Sequence, residues 1–111
     1  MARLNYVELP VGDLATAKAF YERAFDWRLT EFSPAYAATT SGDTDIGLQA
    51  EAREATKAPL PMIEVENLET ALDAVLQAGG KIVRPIFAFP GGRRFQFLDP
   101  SGNEVAAVKA D

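Results

Sequence analysis

VGDLATAKAFYERAF at residues 11–25 and VENLETALDAVLQAG at residues 65–79 decide the fold, because the first lies on the second at a fixed offset of 54. Val11 then pairs with Val65, Asp13 with Asn67, Leu14 with Leu68, Thr16 with Thr70 and Ala17 with Ala71. Two periods of that length nearly fill the 111 residues, so a duplicated unit explains more than a chance likeness of two amphipathic helices. In the first copy Asp13 is the expected N-cap, and Leu14, Ala17, Tyr21, Ala24 and Phe25 recur at helical spacing. In the second, Asn67 is the expected cap. Leu68, Ala71, Leu72, Val75 and Leu76 form the apolar stripe there, and Gly79-Gly80 ends the helix.

Working outward, residues 5–9 and 62–65 read as the strands that lead into these helices. After each helix come three β-type segments: 27–32, 36–40 and 46–51 in the first copy, and 81–86, 93–98 and 105–110 in the second. Ser33-Pro34, Ser41-Gly42-Asp43, Pro90-Gly91-Gly92 and the Asp99–Asn103 stretch separate them, all turn-forming combinations. The expected architecture is therefore α+β: two tandem βαβββ units whose mixed sheets form an open cleft. Repeat 1 covers 1–51, a polar linker 52–61 and repeat 2 62–111, within one domain.

Composition narrows the function classes. A net charge of −5 argues against nucleic acid, whose phosphates demand a basic face. No run approaches the roughly 20 apolar residues that span a bilayer, and no basic-then-apolar leader opens the sequence, so the expected location is cytoplasmic. Cysteine and histidine are both absent. That removes disulfides, thiolate chemistry, the commonest metal ligand and the usual acid–base group near neutral pH. Any catalysis falls to carboxylates, Tyr, Lys, Arg or the backbone.

VELPVGDLATAKAFYERAF, together with FQFLDPSGNE near the end, resembles the vicinal oxygen chelate superfamily of glyoxalase I, bleomycin-binding proteins and extradiol dioxygenases. The resemblance covers the whole chain. It implies the fold strongly and a reaction weakly, since the superfamily holds isomerases, transferases, dioxygenases and drug-binding proteins. It also implies where a divalent metal would be held. Those positions fall on Tyr6, on Leu60, on Ala106, and on either Gly47 or Gln49. Leu60 and Ala106 offer no donor and Tyr6 is a poor one, so no metal or other cofactor is expected.

Alternation along the strands proposes what lines the cleft instead: Tyr6, Glu8, Gln49, Leu60, Met62, Arg94, Gln96 and Ala106. The set is mostly apolar with a few polar anchors, as small-molecule sites are. Glu8 is the candidate catalytic residue, because burial among apolar groups favours a protonatable carboxyl. The structural alternative is a Glu8 satisfied by Arg94 or Tyr6. Arg93-Arg94 could clamp an anion or form a solvated hairpin shoulder. Phe87, Phe89 and Pro90 could make a lid, a subunit contact or core packing. The expected protein is a homodimer that binds a small organic ligand without a metal. A glyoxalase-like lyase or isomerase using Glu8 as general base is the alternative, and a structural subunit with a filled cleft is a third reading.

Overall fold

Both expected helix caps form. In the computed structural model, which describes residues 2–111, the Asp13 side chain accepts from the Thr16 backbone N–H at 2.9 Å and opens α1, Leu14–Phe25. Asn67 accepts from Thr70 N–H at 2.8 Å and opens α2, Leu68–Gln77. Each satisfies an amide that the first helical turn leaves without a partner. Asp26 closes α1 with φ 59°, a left-handed conformation that Asp tolerates better than most side-chain-bearing residues. Gly79, at φ 98°, follows α2.

The strands are β1 (Arg3–Pro10), β2 (Thr30–Ser33), β3 (Tyr36–Ala38), β4 (Asp45–Gln49), β5 (Leu60–Glu64), β6 (Lys81–Phe89), β7 (Gly92–Leu98) and β8 (Glu104–Ala110). With the helices, the order β-α-β-β-β occurs twice. The chain divides into two units, one of residues 6–60 and one of residues 61–111 with the N-terminal residues up to Asn5.

In the first unit the strand order is β2-β3-β4-β1, with β1 parallel to β4 and the other pairs antiparallel. Leu14 of α1 packs with Leu29, Ala37 and Leu48, and Leu9, Ala17, Tyr21 and Ile46 surround them. One sheet face therefore belongs to the helix, and the opposite face carries the alternate residues. In the second unit the order is β5-β8-β7-β6, with β5 parallel to β8. Leu68 of α2 packs on Phe95 and Ala107, joined by Val75, Ile82, Ile86 and Phe97.

Four details differ from the pattern expected of the sequence. Strand β2 begins at Thr30, because the Glu22 carboxylate accepts from Leu29 N–H at 3.0 Å and ties residues 27–29 to the helix. Trp27 stacks there on Tyr21, with 5.7 Å between ring centroids. Strand β5 opens at Leu60, within the stretch read as linker. Strand β6 runs on to Phe89, so Phe87 and Phe89 pair with Arg94 and Gly92 in a hairpin rather than forming a lid. Finally, the α1 stripe is narrower than its periodicity suggests. Leu14 and Tyr21 meet the core, while Phe20 and Phe25 are exposed.

Candidate functional site

Opposite residues in adjacent strands project to the same side, so register alone assembles the helix-free face of each sheet. In the first unit Glu8 pairs with Gly47, Gly47 with Ala38, and Gln49 with Tyr36. Tyr6 and Glu8 are alternate residues of β1 and share the face. The Tyr36 hydroxyl donates to Glu8 Oε2 at 3.1 Å and lies 2.5 Å from the Tyr6 hydroxyl. Tyr36 has one proton to give. With that proton on Glu8, Tyr6 must donate to Tyr36, and the chain of hydrogen bonds runs one way, from Tyr6 through Tyr36 to Glu8.

Gly47 makes room for this chain. A methyl group there would overlap both tyrosine hydroxyls. Burial, followed by the neighbouring Tyr6 and Glu8, pushes the Tyr36 hydroxyl far above its ordinary pKa of 10.0, so it stays protonated as a donor. Gln49 reaches the same face, but its Oε1 accepts from Glu51 N–H at 2.9 Å and holds the end of β4. Leu60 is buried and wholly apolar.

In the second unit Met62 pairs with Ala106, Ala106 with Gln96, and Gln96 with Arg84. Arg94 pairs with Phe87, and a register shift between Arg84 and Phe87 brings those two residues to one face. The Arg84 guanidinium lies 3.7 Å from the Phe87 ring centre. That of Arg94 lies 5.1 Å from Phe87 and 5.4 Å from Phe89, with Nη1 3.9 Å from Met62 Sδ. Gln96 Nε2 donates to Glu104 Oε2 at 2.7 Å. Arg93, by contrast, turns to the helix side and pairs with Glu69 of α2 at 3.0 Å. The adjacent arginines therefore face opposite ways and cannot act together as an anion clamp.

The structure thus brings Tyr6, Glu8 and Gln49 together in one unit, and Met62, Arg94, Gln96 and Ala106 in the other. Tyr36 is the member that the sequence did not yield. Its strand is three residues long and two of them are alanine, which leaves no alternation to read. Its one signal is a tyrosine two residues beyond Pro34 in a short β segment.

Register also settles which first-unit residue corresponds to Ala106. Glu8 and Met62 are equivalent at the offset of 54, and they pair in the same parallel manner with Gly47 and Ala106. The metal-holding positions are therefore Tyr6, Gly47, Leu60 and Ala106. This set does not fit a divalent ion. Three of the four lack a donor side chain, and the fourth has its hydroxyl against Tyr36. Among the described residues no group of three or more His, Cys, Asp or Glu side chains gathers.

Comparison with known proteins agrees with the architecture. A structure of a glyoxalase/bleomycin resistance protein/dioxygenase superfamily member from Vibrio splendidus superposes with a TM-score of 0.73 at 14% identity, covering 100% of both chains. Methylmalonyl-CoA epimerase from Mycobacterium tuberculosis gives 0.75 at 14% identity, over 97% of this chain and 87% of the other. The Mn(II)-bound glyoxalase from Novosphingobium aromaticivorans gives 0.72 at 18% identity, over 98% of this chain but only 40% of that one. At such identities the likeness speaks for fold alone. No curated protein matches. The family model described as Glyoxalase/Bleomycin resistance protein/Dioxygenase superfamily matches residues 3–107, and this chain belongs to that superfamily.

Proposed function

We propose that this protein binds a small organic molecule on the helix-free faces of its sheets and does so without a resident metal. One observation carries the reading. Its buried polar side chains are Glu8 (4% exposed), Gln49 (8%), Arg94 (7%) and Gln96 (3%), and all four stand on those faces. Burying such groups is unfavourable unless something compensates it, and a fold held by packing alone would place apolar residues there. The fold supports the reading too, since members of this superfamily commonly bind small ligands. In this reading the protein works in the cytoplasm as a homodimer.

A second reading is favoured by the run of hydrogen bonds from Tyr6 through Tyr36 to Glu8. It gives the Glu8 carboxyl a path for a proton, as a general base in a lyase or isomerase step would require.

One experiment addresses both. A thermal-shift screen of small organic molecules is run with and without chelator, and the hits are measured on wild type and Glu8→Gln for affinity and turnover. Binding should persist in chelator and shift by about 1–2 kcal/mol in the variant, with no turnover. Binding that vanishes with chelator would defeat the metal-free proposal. Turnover that falls about 10²–10⁴-fold in Glu8→Gln would establish the second reading in place of simple binding.

A further inference from the structure

Gln96 is the most deeply buried polar side chain described, at 3% exposure, yet only half of its amide is satisfied. Its Nε2 donates to Glu104 Oε2 at 2.7 Å. A carboxylate oxygen only accepts, so this contact fixes the amide with its nitrogen towards Glu104. The opposite atom, Oε1, is buried and no protein donor reaches it. A native structure seldom leaves a buried carbonyl in that state, because the missing bond costs about 1–3 kcal/mol.

What surrounds Gln96 limits what can donate to it. Its flanking partners are Ala106 on β8 and Arg84 on β6, and beyond Ala106 lies Met62. The guanidinium groups of Arg84 and Arg94 lie over Phe87, and that of Arg94 also lies over Phe89. A cationic donor would meet two positive side chains on this face. An anion has no proton to offer a carbonyl. Flat rings, a thioether and a methyl group suit an aromatic body.

Resting on the reading of a ligand-binding face, we propose that the Gln96 carbonyl is its polar anchor. The molecule it takes is a neutral aromatic compound carrying an O–H or N–H donor.

Phenol and anisole differ in that donor and serve as probes. Full-length protein labelled with ¹⁵N and with ¹³C-methyl methionine is titrated with each, following the Gln96 side-chain amide and the Met62 methyl. Phenol should shift both signals and bind about tenfold more tightly than anisole, the factor expected of one hydrogen bond to a buried acceptor. Gln96→Met should erase that preference without lowering the thermal midpoint, since it removes the orphaned oxygen. Equal binding of phenol and anisole, or a preference that survives Gln96→Met, would overturn the inference. So would other compounds that move Met62 while leaving Gln96 still, although the ligand-binding reading would then stand. If no compound moves any residue of either helix-free face, both fall. The comparison of phenol with anisole uses wild type alone and holds even if the variant does not fold.

Discussion

Gly47 and the two tyrosines above it form a unit in which a missing side chain matters as much as the two that are present. The hydroxyls of Tyr6 and Tyr36 occupy the space that any other residue's Cβ would need. Gly47→Ala should therefore destabilise the protein by about 1–3 kcal/mol through overpacking. Tyr36→Phe should be unfavourable for a different reason, because it removes the donor to Glu8 Oε2. The two penalties are coupled. In a Tyr6→Phe, Tyr36→Phe background Gly47→Ala should cost less than in wild type, because the hydroxyl oxygens it would strike are gone. Urea unfolding of the variants measures this, and strictly additive penalties would contradict the geometry.

The two helices differ in the chemistry of their caps, and pH separates them. Thr16 donates to the Asp13 carboxylate from both side chain and backbone, which holds its pKa below the ordinary 3.8, the side-chain bond contributing most. A group whose folded pKa is depressed stabilises the fold above the unfolded value and loses that contribution as pH falls through the folded one. The α1 cap should therefore weaken in acid below pH 3.8, while Asn67 on α2 does not titrate. Amide exchange at Thr16 should accelerate relative to Thr70 as pH is lowered there, and Asp13→Asn should abolish the difference. Equal behaviour of the two amides would sink this account. These caps were legible in the sequence because they are local, each set by residues three apart. The ends of β2 and β6 were not. The first depends on Glu22 reaching Leu29 seven residues on, the second on pairing across a hairpin. The same reason hid Tyr36, whose partners are 28 and 30 residues away, whereas Glu8, Arg94 and Gln96 followed from simple alternation.

For the whole molecule, duplicated order and superfamily membership were readable from the offset of 54 and the turn residues. Partners were less so, because the surface that meets them depends on which apolar residues the core leaves out. Phe20, Phe25, Trp27 and Phe32 are such residues, and β2 ends its sheet with an unpaired edge. Large exposed rings beside a free strand edge are commonly covered by another chain. Light scattering at micromolar concentration should thus give twice the chain mass of 12.0 kDa. A mass of one chain would remove the homodimer.

The filled space at Gly47 also constrains the order in which this protein could change. Gaining a carboxylate at position 47 is not a free step, because the hydroxyls already stand there. Residues 6 and 36 would have to shrink first, and Leu60 and Ala106, both sealed in the interior, would still need replacing. Each intermediate would carry either a hole or a collision before any cation could repay it. The tyrosine pair therefore acts as a ratchet: a lineage that reaches this arrangement travels onward from it more easily than back.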